Sequence, residues 1–299
     1  MSSGSAFLRF CRERVYDAPN RMRLMMKFYA IAIAPFSILF ILNSKTVHPA
    51  YKMSLFKKLR LGLKMLLNNL RIPTGTSFKA HLVMALKILE TSPHVEGDIV
   101  ECGTWKGGSA ANLSLVCRIV GRRLKIFDSF EGLPEDDPRD REAAGYKKGD
   151  YCGTLNEVES NLKRYGALEV CEFNKGWFSD TLPRLNRPVL LAFLDVDLEA
   201  SLETCVRHIW PHLVSAGYIF IDECVGLNYC ALFFSETWWR KSFNQRPPGL
   251  IGAGTGLPLG EFYMGPYSEL PDHPLQHAST GAYTRRNFSA FWSYYPRAE

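Results

Sequence analysis

Residues 98–109 read DIVECGTWKGGS, and their pattern is the clearest indication of the fold class. Its first five residues are a short apolar run that contains Glu101, and such a run is typical of a buried parallel strand. The glycines that follow permit a tight turn and let a ligand approach the backbone. From Ser109 onward the apolar residues recur at helical spacing. The stretch therefore predicts a strand, a glycine loop and a helix in direct succession.

The same alternation continues along the chain and predicts an α/β fold, a doubly wound and mostly parallel sheet. Residues 283–295 are rich in aromatic side chains and suit a late antiparallel strand. Residues 134–153 are polar and predict a lid loop, and residues 245–277 are a Gly- and Pro-rich segment. Strand and helix patterns alternate in the order 98–102, 109–120, 124–127, 155–165, 168–173, 189–194, 200–213 and 218–221.

Acidic residues end or nearly end four of the predicted strands. The carboxyl ends of parallel strands lie at one edge of such a sheet, where ligands bind, so we expect these acids to converge. The glycine loop matches neither the dinucleotide fingerprint nor the P-loop, which favours a nucleoside with a carboxylate over a pyrophosphate. An acid at the end of the second strand can accept hydrogen bonds from a ribose diol. The four acids are Glu101, Asp128, Asp195 and Asp222.

The N-terminal part of the chain is strongly basic. Residues 1–73 carry thirteen Lys or Arg and two acids, whereas the remainder carries an excess of five acids. Residues 28–44 contain no charge but are short for a membrane-spanning helix and include Pro35. Residues 55–70 predict a basic amphipathic helix, with an apolar face from Leu55 to Leu70. Two alternatives stay open for residues 28–70: packing on the body or on a second copy in a homo-oligomer, or peripheral contact with an anionic membrane.

Cysteine usage and charge together suggest the compartment and the domain organisation. The eight cysteines form no CxxC pair and no zinc-finger spacing, which favours a reducing, cytoplasmic location, with membrane association as the alternative. We predict a basic helical extension over residues 1–71 and a catalytic domain over residues 72–299.

Six segments together resemble the macrocin O-methyltransferase family of class I methyltransferases, which use S-adenosylmethionine. They are ECGTWKGGS (101–109), DSFEGLP (128–134), GDYCGTLNEVESNLKRYG (149–166), GWFSDTLP (176–183), DVDLEAS (195–201) and IDE (221–223). The resemblance covers residues 72–243 and implies a Rossmann-like methyltransferase domain. It also implies that the cofactor is held by Glu101, Gly103, Thr104, Gly107, Ser109, Asp128, Ser129, Phe130, Gly176 and Trp177.

The family is generally metal-dependent, and the resemblance implies that Asp195, Asp222 and Glu223 hold Mg²⁺ or another hard divalent cation. Carboxylate oxygens are the donors that such ions prefer. Asp195 and Asp197 are the candidate catalytic residues, and Asp197 is a candidate general base, with His208 and His212 on the following helix as weaker alternatives. The sequence also departs from the family pattern, because a valine replaces a glycine at 196, a glutamate replaces an aromatic residue at 199, and Asp-Asp-Tyr becomes Asp-Glu-Cys at 222–224.

These features predict methyl transfer from S-adenosylmethionine to a hydroxyl of a sugar or glycosylated natural product, a small-molecule acceptor. One alternative is a nucleotide-dependent oxidoreductase on a related fold, against which the missing G-x-G-x-x-G motif counts. Another is a catalytically inactive, membrane-associated scaffold, against which the retained acids count. Nucleic acid is not an expected partner, because the body of the chain is acidic.

Overall fold

The computed structural model describes residues 19–76, 78–135, 147–222, 231–251, 263–264 and 282–286. The strands are β1 (Asp98–Cys102), β2 (Leu124–Asp128), β3 (Cys171–Lys175), β4 (Val189–Leu194), β5 (Leu213–Ile221), β6 (Leu250–Ile251), β7 (Tyr263–Met264) and β8 (Ala282–Arg285). They form one sheet in the order β3-β2-β1-β4-β5-β8-β6-β7. Strands β1 to β5 are parallel and β8 is antiparallel to β5. The predicted α/β class is confirmed, and β8 places an antiparallel strand at the start of the segment predicted for one, 283–295, of which residues 287–295 lie outside the described residues.

Helices cover both faces of this sheet. They are α1 (Pro19–Asn43), α2 (Leu55–Arg71), α3 (Phe78–Glu90), α4 (Gly108–Val120), α5 (Leu155–Tyr165), α6 (Phe178–Thr181), α7 (Glu199–Ile209) and α8 (Glu236–Phe243). Alternate residues of β1 point into two different cores: Ile99 packs with α3 and α4, and Val100 packs with α7 and α8. Every residue of β4 is buried, as expected for a strand that is covered on both faces.

Two predicted elements have different boundaries in the structure. The strand predicted at 168–173 begins only at Cys171, because residues 168–170 form a 3-10 turn. The helix predicted at 200–213 ends at Ile209 and is followed by a 3-10 turn that contains Pro211. Proline lacks the backbone N–H that a continuing helix needs. As a result β5 begins at Leu213, where it already pairs with Val189, and not at residue 218.

Helices α1 and α2 lie against α3 and α4. Their inner side chains, Ile38 and Ile41 of α1 and Leu61 and Met65 of α2, belong to the core that α3 and α4 share with the sheet. Gly62 lets the two helices approach closely, because a Cβ there would lie 3.3 Å from Ile38. In the described part of the chain we find no helix with the length and apolar character needed to cross a bilayer.

The packing face of α2 is not the apolar face that its sequence predicts. The helix buries Lys58, Leu61, Gly62, Met65 and Asn68. The predicted face is exposed at Leu55, Phe56, Leu63 and Leu67, and only its Leu59 and Leu66 are partly buried against the core. Polar residues reach the inner face because they find partners there: Lys58 Nζ donates to the Ser44 carbonyl at 2.6 Å, and Asn68 Nδ2 donates to Asn112 Oδ1 at 2.9 Å.

Candidate functional site

A cavity of about 610 Å³ opens beyond the carboxyl ends of the parallel strands. The strand order reverses between β1 and β4, so this is the switch point where α/β sheets bind ligands. Three of the four acids predicted to converge, Asp128, Asp195 and Asp222, line this cavity. The predicted residues Gly103, Ser129, Gly176, Trp177 and Asp197 line it as well.

The glycine loop begins at a position that only glycine can occupy. Gly103 has φ +80°, and a Cβ there would lie 1.8 Å from the carbonyl oxygen of Asp195. Its N–H donates to the Phe127 carbonyl at 3.0 Å, and the Asp195 N–H donates to the Cys102 carbonyl at 3.0 Å. The ends of β1, β2 and β4 are thereby held together at the floor of the cavity.

The Asp128 carboxylate is held in place by backbone donors. Thr104 N–H donates to one oxygen at 2.8 Å, and Phe130 N–H donates to the other at 2.7 Å. Burial raises the pKa of Asp128, and these two hydrogen bonds oppose the rise together with one from the Trp105 backbone. Each carboxylate oxygen can accept a second hydrogen bond. Asp128 is therefore a fixed acceptor that can still bind a diol in the cavity.

Glu101 lies behind the cavity wall, fully buried in β1. Its carboxyl accepts hydrogen bonds from the hydroxyls of Ser109 and Thr104. Burial raises the pKa of Glu101 to about 8, although both hydroxyls oppose the rise. The cavity lining in the described part of the chain excludes Glu101, Thr104, Gly107, Ser109 and Phe130. Their contact with a cofactor stays a prediction.

A strained turn follows β4 and carries two of the lining acids. Asp197 has φ +56°, a value that a non-glycine residue seldom adopts, and the Leu198 N–H donates to the Val196 carbonyl at 2.5 Å. Such strain is concentrated at functional sites.

Asp222 follows the neighbouring strand β5, and burial raises its pKa to about 6. The third predicted metal ligand, Glu223, lies outside the described residues. Within those residues we find no cluster of three or more potential metal-ligating side chains.

Two aromatic residues that we did not predict also line the cavity. Trp105 and Tyr151 both have positive φ, and their rings make an edge contact with centroids 5.8 Å apart. A Cβ at Gly153 would lie 1.9 Å from the Trp105 carbonyl oxygen, so the end of the predicted lid packs tightly on the glycine loop. Its other end is tied by the Leu133 N–H, which donates to the Asp150 carbonyl at 2.9 Å. Residues 136–146, between these ends, lie outside the described residues.

The N-terminal helices supply the remaining wall. Lys27, Ala30 and Ile33 of α1 line it at helical spacing, together with residues 69–76. A buried polar network supports the latter segment: His81 contacts the hydroxyl of Thr76 and Nδ2 of Asn112. Burial lowers the pKa of His81 to about 3, so the ring is neutral. The sequence assigned no site residue to 1–71, because the packing of α1 over the cavity is a long-range contact.

The parallel sheet and the cavity at its switch point, with the carboxylate that ends β2 in its lining, are the features of a Rossmann-like α/β protein. Solved structures of similar shape carry the same fold. The O-methyltransferase NovP has a TM-score of 0.57 and 20% identity, over 86% of this chain and 99% of that chain. The calicheamicin methyltransferase CalS11 has a TM-score of 0.50 and 17% identity, over 91% and 95%. The fold is that of the class I methyltransferases, as predicted.

The model of the macrocin-O-methyltransferase (TylF) family matches residues 77–245, which is more than half of the chain. The chain belongs to this family, which confirms the resemblance seen in the sequence. Among curated relatives, it is 35% identical to the 8-demethyl-8-(2,3-dimethoxy-alpha-L-rhamnosyl)-tetracenomycin-C 4'-O-methyltransferase of Streptomyces olivaceus, over 48% of this chain and 62% of the relative. It is 30% identical to the mycinamicin III 3''-O-methyltransferase of Micromonospora griseorubida, over 48% and 65%. The matches thus span less than two thirds of the length of either relative.

Proposed function

We propose that this protein is an S-adenosylmethionine-dependent O-methyltransferase that methylates a hydroxyl of a sugar in a glycosylated natural product. The observation that carries the proposal is that Asp128 lines the same cavity as Asp195, Asp197 and Asp222. Family membership and the names of the relatives, which methylate sugar-bearing compounds, support the same activity.

The acids that line the cavity fit the cofactor. Four of the lining residues are acids and two, Lys27 and Arg71, are bases that belong to α1 and α2. The four acids favour a ligand with positive charge, such as a sulfonium. We assign Asp128 to the ribose diol, Gly103 to close backbone approach, and Trp177 to the adenine. When bound, the cofactor supplies an electrophilic methyl group, and the protein supplies position and electrostatics.

A divalent cation at Asp195 and Asp222 is part of the proposal. These carboxylates follow neighbouring strands, and the Asp222 N–H donates to the Leu194 carbonyl at 3.1 Å, beside the start of the Asp195 turn. Mg²⁺ commonly binds through one or two carboxylates, with the rest of its shell from water and substrate, so two acids fit this ion even without Glu223. A bound cation would lower the pKa of an acceptor hydroxyl.

The protein's own side chains then have separate tasks in the transfer. Asp197, held at its strained φ, is the group that we assign to take the proton from the acceptor hydroxyl. Trp105 and Tyr151 border the same space and would exclude water from it, which favours attack by the acceptor over hydrolysis.

Two matched variants test this division of tasks. Asp128→Asn is expected to weaken binding of S-adenosylhomocysteine by about tenfold to a hundredfold, because a charged hydrogen-bond acceptor is lost. Asp195→Asn is expected to leave that affinity within about threefold but to abolish turnover. Isothermal titration measures the first quantity, and product mass after incubation with a rhamnosylated acceptor measures the second.

Titration with NADH distinguishes the proposed methyltransferase from the alternative, a nucleotide-dependent oxidoreductase. The proposal would be abandoned if the folded protein bound NADH but not S-adenosylhomocysteine in the same titration. Equal loss of S-adenosylhomocysteine affinity in Asp128→Asn and Asp195→Asn would overturn the division between cofactor and acceptor residues.

A further inference from the structure

Exposed apolar side chains are concentrated on the two N-terminal helices. Ten large apolar side chains are exposed in the described part of the chain, and nine of them lie between Phe28 and Leu67. Phe28 and Phe36 of α1 are 63% and 72% exposed, and Phe56 of α2 is 72% exposed. Soluble proteins seldom leave such side chains clustered in water unless the surface binds something. We call the exposed faces of α1 and α2 the outer patch.

The part of the outer patch on α1 belongs to residues 28–43, which carry no charge and are apolar on both sides of the helix. Helix α1 buries Ala34, Ile38 and Ile41 on one side, and carries Phe36 and Leu39 on the other. A helix that is apolar all round is ordinarily buried all round. Within the described residues only one side is covered, so the second side is available to a partner.

The outer patch is held rigidly on the body. The turn between α1 and α2 is fixed by the His48 N–H, which donates to the Leu89 carbonyl at 2.9 Å, and by the Tyr51 hydroxyl, which donates to the Thr91 carbonyl at 2.8 Å. A partner would therefore meet a preformed surface, which reduces the entropy lost on binding.

Charge identifies the chemistry of the partner. Residues 18–73 contain ten Lys or Arg and no Asp or Glu. Several of these bases are exposed beside the apolar side chains, among them Lys27, Lys45, Lys57 and Arg60. Apolar side chains that are bordered by bases match a lipid surface with anionic headgroups.

We propose that the outer patch docks on an anionic lipid bilayer, with the apolar side chains of α1 and α2 in the headgroup region and the bases on the lipid phosphates. A second copy of the chain is the competing occupant. A twofold interface would place this surface against the same surface of the second copy. The bases of the two copies would then face each other, and residues 18–73 contain no acid that could neutralise them. The helices lie on the bilayer and do not cross it, because their inner faces are committed to the protein core.

Docking also places the cavity beside the bilayer. Lys27, Ala30 and Ile33 line the cavity from the same helix that carries Phe28 and Phe36 outward. An acceptor held at a membrane surface would then first meet the part of the cavity that Lys27 lines.

Vesicle sedimentation tests the docking directly. The full chain is mixed with extruded vesicles of phosphatidylcholine, alone or mixed with phosphatidylglycerol, and the bound fraction is measured. We expect binding to the anionic vesicles only, with loss of affinity at high salt. Phe28→Ser combined with Phe36→Ser is expected to weaken binding by more than about tenfold. Lys57→Gln and Arg60→Gln are each expected to weaken it by about fivefold.

Lys163→Gln, an exposed base on α5, is the matched control and should bind like the wild type. Circular dichroism and S-adenosylhomocysteine binding confirm that each variant is folded, and the two single-charge variants test the proposal even if the double phenylalanine variant fails to fold. Failure of the wild type to bind anionic vesicles would overturn the proposal. So would a dimer in sedimentation velocity that dissociates in the phenylalanine variant, because the outer patch would then be a self-interface.

Discussion

Replacing Glu101 with glutamine is expected to stabilise the protein at neutral pH. The carboxyl is fully buried, and burial raises its pKa from 4.5 to about 8, against the opposing hydrogen bonds of Ser109 and Thr104. At pH 7 this carboxyl is therefore mostly protonated in the folded protein and ionised in the unfolded chain. The unfolded state gains from this ionisation and the folded state does not.

The size of the effect follows from the two pKa values. Each pH unit between them is worth about 1.4 kcal/mol. At pH 7 the carboxyl thus lowers the free energy of unfolding by about 3 kcal/mol relative to a side chain that stays neutral. The penalty is absent below pH 4.5 and grows as the pH rises towards 8. The glutamine amide in Glu101→Gln would still accept from Ser109 and could donate to the Thr104 hydroxyl, so both side-chain contacts are kept.

Urea unfolding at a series of pH values, followed by tryptophan fluorescence, measures this difference. The advantage of Glu101→Gln should rise from near zero at pH 4.5 to about 3 kcal/mol at pH 7. Glu96→Gln, at an exposed site, is the control and should show little dependence on pH. A variant that is less stable than the wild type at every pH, or an advantage that does not change with pH, would show that ionisation of Glu101 does not destabilise the folded protein.

Three further outcomes are expected. Gly103→Ala should lower the free energy of unfolding by about 3 kcal/mol, because its Cβ would lie 1.8 Å from the Asp195 carbonyl oxygen. Gly121→Ala is the control: its φ is similar but the space around it is open, so it should lower the free energy of unfolding by only about 1 kcal/mol. Thermal unfolding of the two variants measures the difference. Burial lowers the pKa of His81 to about 3, so its contribution to stability is present above pH 6.5 and is lost as the pH falls. In urea unfolding, the free energy of unfolding of the wild type should therefore fall between pH 6.5 and 5 by about 2 kcal/mol more than that of His81→Gln. EDTA should abolish turnover and added Mg²⁺ should restore it, and full activity in the chelator would remove the cation from the proposal.

Much of the fold could be predicted because local pattern and tertiary environment agree. The run at residues 189–194 is apolar throughout, and β4 is buried throughout, so pattern and structure coincide residue for residue. The failures occur where long-range pairing overrides local pattern. The predicted helix extended to residue 213, yet Leu213 begins β5 because Pro211 ends the helix and Leu213 pairs with Val189.

The site was predicted in part for the same reason. Asp128, Asp195 and Asp222 could be placed at one sheet edge, since parallel strands end together. Trp105 and Tyr151 were missed because their approach depends on two positive φ values and on the packing of Gly153 against Trp105. Positive φ values in loops produce no periodic pattern of residues, so the sequence could not predict this contact.

Local pattern and short motifs were enough to predict the alternation of strands and helices, the edge at which the acids meet, and the family. The buried face of α2, in contrast, depends on long-range packing and could be read only from the folded chain. The apolar face from Leu55 to Leu70 predicts burial on one side, but Lys58 and Asn68 find hydrogen-bond partners inside and Gly62 permits close contact with α1. The helix therefore packs through a face that includes these polar residues, and much of its apolar stripe remains at the surface.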